Sequence, residues 1–293
     1  MDGAGFEPAT SAMPTLAKRV RISEKHLIDF EEFLRINLRL APTTVQKTLE
    51  DAKRFLEKSN YIVSYHTVLN YLKGYINNAP KTYNAQITSL RRFIKVFLGC
   101  AEIISTFKMS PVDEVQKPIK LPTKEQLRKG FETQEDVRAK AIYLFTAKSG
   151  LRRCEILALL KENVNLKLRS VIPNHYTRKK RSGITFYDSE TEKWLNKYLQ
   201  IRTDNDPRLF VISDRQWRKI WRYASKIAKT KIAPQILRVW FSTEMGEQLI
   251  PDRFIDIFQG RAPRSVLAKH YTGKELLRLK RIYEKANLSL GLA

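Results

Sequence analysis

Cysteine is nearly absent: Cys100 and Cys154 are the only two in 293 residues. Two thiols cannot build a disulfide framework. Together with four scattered histidines (His26, His66, His175 and His270) they show no metal-ligand spacing. No metal or other cofactor is expected, and the cysteine usage suits a reducing, cytoplasmic compartment. Cys154 falls in an expected buried helix and is read as a free core thiol. Long apolar runs are missing too. Nothing approaches the roughly 18 residues needed to cross a bilayer, and the first twenty residues lack the apolar segment of a secretory leader. A basic amphipathic helix flanked by apolar anchors is also lacking, so no membrane partner is expected. Acidic residues are in deficit, with 30 Asp+Glu against 54 Lys+Arg and a net charge of +24. That excess favours a polyanionic partner whose binding weakens as salt rises. Apolar residues make up 43% of the chain, enough for real cores, and the length allows two domains.

Residues 1–21 have no helical or strand period and contain Gly3, Gly5, Pro8 and Pro14; they are read as a flexible arm. Residues 22–99 read as four helices. Ser23 caps the first, with Leu27, Phe30, Phe33 and Leu34 on one side. Pro42-Thr43-Thr44 opens the second, Ser64 the third (Val68, Leu69, Leu72, Ile76), and the fourth runs from Thr82 to Leu98, with Gly99 ending it. Arg91, Arg92 and Lys95 lie off its apolar stripe, free to face phosphates. Residues 100–122, with Pro111, Pro118 and Pro122, read as a linker.

The remainder, 123–293, opens on Thr123-Lys124-Glu125-Gln126, a capping box. Helices are expected over 123–132, 135–148, 153–161, 189–201, 214–229, 234–246, 251–258, 264–270 and 274–287. Two short strands, Ser170–Asn174 and Ile184–Tyr187, flank the basic run Arg178-Lys179-Lys180-Arg181, so a basic hairpin is expected. The fold class is thus mainly α with a small β-sheet. No repeat of 20–50 residues is visible.

Three separated pieces carry chemistry. Ser149-Gly150-Leu151-Arg152 is followed by Glu155. Pro234-Gln235-Ile236-Leu237-Arg238 comes second. Gly260-Arg261 is third, with His270-Tyr271 ending ten residues later. A guanidinium donates two parallel hydrogen bonds to a phosphate and stays charged at working pH. A phenol, with pKa about 10, needs such cations to support its phenolate as a nucleophile. Arg153 points about 100° from Arg152 on a helix and is the poorer candidate. Asp252 and Asp256 read as a helix-surface carboxylate pair.

Together these pieces resemble the tyrosine recombinase (phage integrase) family, and the run from Gly260 to Tyr271 is nearest to the fusellovirus-type integrases of archaeal viruses and plasmids. The resemblance implies a four-helix core-binding domain followed by an α+β catalytic domain. It implies that Tyr271 attacks a DNA phosphodiester, that Arg152, Arg238 and Arg261 hold the phosphate, and that Glu155 supports Arg152. Lys180 on the hairpin, with Lys179 as the alternative, would protonate the departing 5′ oxygen. Gln235 stands where the family has a histidine, Val239 where it often has a second, and Arg261 where it has histidine or tryptophan. Glutamine hydrogen-bonds a phosphate oxygen but carries no proton; His270 is the alternative proton carrier. Arg178, Arg181 and Arg264 are read as DNA contacts. The resemblance further implies double-stranded DNA as partner, a homotetramer on synapsed sites and a monomer when free. The tail helix 274–287 would then either exchange between neighbours or pack on its own domain. Gly5-Phe6-Glu7-Pro8 can be encoded by a sequence containing GGTTCGAA, the core of a tRNA T-arm, so the arm is read as a translated attachment site within a tRNA gene. A type IB topoisomerase and a DNA-binding accessory protein are the alternative readings.

Overall fold

The computed structural model describes residues 18–112, 118–173, 183–261 and 275–292. The chain divides into two compact units, Met1–Lys117 and Pro118–Ala293.

The first unit is helical: α1 (Glu24–Ile36), α2 (Pro42–Lys58), α3 (Tyr65–Lys73), α4 (Pro80–Leu90) and the short α5 (Ala101–Ile104), with β1 (Val20–Arg21) paired antiparallel to β2 (Ile62–Val63). Prolines at the first helical position start α2 and α4, where a missing N–H costs nothing. Phe30, Leu34, Phe55, Ile87, Leu90 and Phe93 close one core. This unit departs from the sequence pattern in three places. The third helix stops at Lys73, and Ile76 is solvent-exposed. The fourth does not continue as α-helix to Leu98: Arg91–Phe97 forms a π-helix, whose i→i+5 bonding redirects its side chains. Finally, Cys100, Ile103, Ile104 and Phe107 are buried in this core, so the expected linker begins later than residue 100. Apolar spacing in a Pro-bearing segment was the missed signal.

The second unit is built around α7 (Val137–Ser149), buried on all sides from Ala141 onward. It packs against α9 (Ser189–Ile201) and α11 (Pro234–Glu247). α6 (Lys124–Glu132) starts on the expected box, with Thr123 Oγ1 accepting from the Gln126 amide at 3.2 Å and Gln126 Oε1 from the Thr123 amide at 3.0 Å. α8 (Arg153–Leu157) is shorter than expected and gives way to a 3₁₀ turn, Lys161–Asn163. β3 (Val164–Asn165), β4 (Ser170–Val171) and β5 (Thr185–Phe186) form a three-stranded antiparallel sheet in that order. β4 and β5 are the two legs of the expected hairpin, paired Ser170 to Phe186 and Val171 to Thr185. α10 (Asp214–Ile227), α12 (Asp252–Phe258) and α13 (Leu276–Lys285) complete the unit. The fold is mostly helical with small sheets. No helix among the described residues is long and apolar enough to cross a membrane.

α13 packs on its own domain. Leu279 and Tyr283 are buried, and the Tyr283 hydroxyl donates to the Lys148 carbonyl at 2.8 Å. Lys148 is itself fully buried and pairs with Asp188 at 2.5 Å and with Glu190. Glu190 also accepts from the amides of Leu290 (2.9 Å) and Leu292 (2.7 Å), and so holds the tail. Burial alone would push the Glu190 carboxyl up, but the Lys148 ammonium and those amides outweigh it and hold its pKa down at about 2. A carboxyl depressed in the folded state contributes stability above its unfolded range and loses it as pH falls toward the folded value. Melting temperature is therefore expected to drop between about pH 4.5 and 2, more shallowly in Glu190→Gln. Parallel curves for the two proteins would refute this.

Candidate active site

Gly150 ends α7 with φ +64°, a left-handed conformation. A Cβ there would also sit 2.7 Å from the Phe241 ring, so only glycine fits against α11. This turn places Arg152 at the N-cap of α8. Its main-chain N–H and its Nη1 donate to the two oxygens of buried Glu155, each at 2.7 Å. Glu155 therefore orients the guanidinium from a buried position.

Arg238, on α11, is only 5% exposed. Its Nη1 donates to the Gly150 carbonyl and its Nη2 to the Gln259 carbonyl at 2.5 Å. Arg152 Nη1 reaches the same Gln259 carbonyl at 3.4 Å. Burial lowers the Arg238 pKa to about 10, and the charges of Arg152 and Arg261 add to that effect. The guanidinium thus stays protonated at neutral pH, and all three arginines share one field. Arg261 follows Gly260, which has φ +57°. Its amide is fixed by the Asp256 carbonyl at 2.8 Å and its side chain lies 3.5 Å from the Asp256 carboxylate. Asp256 is therefore an arginine partner and not half of an isolated carboxylate pair.

Gln259 was not singled out from the sequence. It is fully buried. Its main-chain oxygen is the acceptor shared by two arginines, and its Nε2 donates to the Arg238 carbonyl at 2.7 Å. Nothing in a lone glutamine at a helix end signals this; only the meeting of α11 and α12 does. Gln235 is exposed, three residues before Arg238, and lines an open cleft of about 390 Å³ with Arg152, Arg238, Arg153 and Trp217. Arg153, the poorer candidate by helical angle, thus borders the same cleft as Arg152. The angle argument fails because Arg152 is the cap with extended backbone, outside the helix proper. Cys154 is exposed, not a core thiol, because α8 presents that face to solvent.

The hairpin legs stand beside this site. A Cβ on Gly183 would lie 1.7 Å from the Ile257 carbonyl oxygen and 3.2 Å from the Gly260 nitrogen. The strand leading out of the basic run therefore presses directly on the end of α12. Arg178, Lys179, Lys180 and Arg181 of that run lie outside the described residues, as do Arg264, His270 and Tyr271. In the N-terminal unit, Arg91 Nη2 donates to the Phe107 carbonyl at 2.8 Å and Arg92 Nη1 to Thr48 Oγ1 at 3.2 Å; both are half-buried, and Lys95 is exposed. Two of the three residues read as phosphate contacts thus carry internal hydrogen bonds. Among the described residues, no group of three His, Cys, Asp or Glu side chains comes together as metal ligands.

A cluster of guanidiniums held by main-chain carbonyls at an open cleft suits one tetrahedral oxyanion. Comparison with known proteins places the chain in a family. The family model described as "Archaeal phage integrase" matches residues 119–286. A relative named Tyrosine recombinase XerA from Pyrococcus furiosus is 28% identical over 256 residues, 82% of each chain. One of that name from Saccharolobus solfataricus is 26% identical over 163 residues, 55% of this chain and 53% of that one. Among solved structures, the Tn1549 transposon integrase in complex with transposon right end DNA matches with a TM-score of 0.61 at 13% identity, covering 89% of this chain and 98% of that one. A lambda integrase dimer bound to a COC′ core site matches with 0.58 at 12%, covering 86% and 97%. The fold is that of the tyrosine recombinases. The chain belongs to the archaeal phage integrase family and is a tyrosine-type site-specific recombinase.

Proposed function

We propose that this recombinase cuts and rejoins double-stranded DNA through Tyr271, with Arg152, Arg238 and Arg261 gripping the scissile phosphate. The observation that carries the assignment is the shared Gln259 carbonyl, which aims Arg152 and Arg238 at one place. The Tyr271 oxygen attacks phosphorus and the bond to the 5′ oxygen breaks, leaving a 3′-phosphotyrosine. Lys180, with Lys179 as its alternative, gives the departing oxygen its proton. A 5′ hydroxyl from another duplex reverses the step, and the phosphotyrosyl bond retains the energy of the bond broken. Gln235 binds a phosphate oxygen without exchanging a proton. Arg91, Arg92, Lys95, Arg178, Arg181 and Arg264 hold flanking DNA. The enzyme works inside the cell on the host chromosome, as a monomer when free and a tetramer on paired sites. Its arm, Gly5-Phe6-Glu7-Pro8, marks a tRNA-gene attachment site, which a T-arm core in the gene's own nucleotides would support.

The test is a nicked suicide duplex carrying the T-arm sequence, incubated without magnesium. A covalent adduct is expected with the unaltered protein and none with Tyr271→Phe, followed by joining of two sites. An adduct without joining would instead indicate a topoisomerase, and a mere band shift an accessory protein.

Gln259 gives a second check. Gln259→Met keeps the bulk but leaves the Arg238 carbonyl without its donor. The adduct rate is expected to fall about 10²-fold, the scale on which small misplacements of a reacting site count. Gln259→Glu, which sets a carboxylate oxygen against the Arg238 main-chain carbonyl in place of the donor, should lower it further. Unchanged rates in both variants would mean that the side chain only fills space.

A further inference from the structure

We infer that the active-site cleft has a second phosphate position, formed by Arg153 and Arg218 and occupied in the free protein by the carboxylate of Asp214. The inference rests on the reading of the cleft as the seat of the scissile phosphate and extends it to the next phosphodiester along the strand. Arg153 and Arg218 line the same cleft as Arg152 and Arg238, together with Trp217 and Trp221. Arg153 is braced, its guanidinium over the Trp217 ring 5.9 Å from the centroid. One oxygen of Asp214 takes Arg153 Nη2, and the other lies 3.8 Å from Arg218 Nη2. Two oxygens of one anion, each turned to a different guanidinium, is how the non-bridging oxygens of a phosphodiester would engage the pair.

The pairing does little for the fold. The side chains of Arg153, Asp214 and Arg218 are 42%, 65% and 76% exposed, and exposed ion pairs contribute close to nothing. Arg153 is also left incompletely matched: its Nε–H is buried with no acceptor among the described residues. The Nε–Nη2 edge of a guanidinium is a two-donor fork, and Asp214 takes only one tine of it. A phosphodiester, not tethered to α10 as the Asp214 carboxylate is, can turn one non-bridging oxygen to both tines of the fork and is the better partner. Asp214 therefore keeps two cations gathered at the cleft until DNA displaces it. Its negative charge also weakens binding of DNA that has not entered the cleft.

The experiment is a salt titration of the full-length protein against a fluorescein-labelled duplex of arbitrary sequence, read by anisotropy. Each neutralised phosphate enters log K against log salt with a slope of about −0.9, which is worth up to about eightfold in affinity at 0.1 M salt. Asp214→Asn, with Asp214→Ser as the second variant and thermal melting as the check on folding, is expected to bind several-fold more tightly with a steeper slope. Arg153→Ala and Arg218→Ala are expected to bind more weakly with the slope reduced by about one each, and Arg153→Lys to recover part of it. Arg238→Ala is titrated alongside. If it loses slope while the Asp214, Arg153 and Arg218 variants match the unaltered protein, the second position is overturned and the scissile-phosphate cleft stands. If none of the variants changes affinity or slope, the placement of DNA on this cleft falls as a whole.

Discussion

Arg238→Ala is expected to slow covalent adduct formation on the suicide duplex by about 10³-fold or more, measured under single-turnover conditions. Removing one preorganised donor from an oxyanion site costs about 10²–10³ in rate, and Arg238 brings a full charge with its donors. Its burial leaves that charge little screened, and a pKa lowered only to about 10 keeps it protonated at neutral pH. The change also strips donors from the Gly150 and Gln259 carbonyls. Each unsatisfied buried carbonyl costs about 1–3 kcal/mol, so the alanine variant should melt at a lower temperature as well. Arg238→Lys separates the two effects. It restores a charge but not the fork that spans two carbonyls, and should recover stability better than rate. Cleavage within tenfold of the unaltered protein in both variants would remove Arg238 from the reaction.

Gly183→Ala carries the second large effect, from a position with no charge and no part in the chemistry. A methyl group there would meet the Ile257 carbonyl oxygen at 1.7 Å. The obstacle is main chain, which cannot swing aside as a flexible side chain does. Either the β5 strand withdraws or the end of α12 moves, and that end carries Gln259, Gly260 and Arg261. Overpacking of this kind costs about 1–3 kcal/mol, which for a domain of this size is a melting shift of several degrees. Cleavage is expected to suffer more than stability, by about 10²-fold, because the strand leads directly from the basic run that includes Lys180. Gly183→Ala with normal melting and normal cleavage would show that the two segments are free to part.

The helical units were legible because their signals are local. Thr123 and Gln126 satisfy each other across three residues, Pro42 opens α2, and Ser64 caps α3. The misreadings also have local causes. A π-helix carries the same apolar residues as an α-helix, so nothing in the spacing signals that Arg91 and Arg92 also hydrogen-bond within their unit. Residues 100–107 carry core side chains in a stretch that nearby prolines mark as linker. Cys154 is exposed because α8 has only five residues, too few for helical periodicity to mark its buried face.

By itself the sequence determined the order and type of most elements, the excess of positive charge, and the family pattern around Arg152, Arg238, Arg261 and Tyr271. These depend on neighbours a few residues apart, or on composition, and need no knowledge of the fold. Only the tertiary structure decided that Gln259 is the acceptor two arginines share, that buried Lys148 and Glu190 hold the tail against α7, and that Arg153 belongs to the same cleft as Arg152. The third depends on α10, whose Trp217 and Arg218 wall the cleft beside Arg153; the first two join residues from separate elements about a hundred positions apart along the chain. Hydrogen bonds and ion pairs at that separation leave no periodic trace, because they form only after the apolar core has brought their elements together.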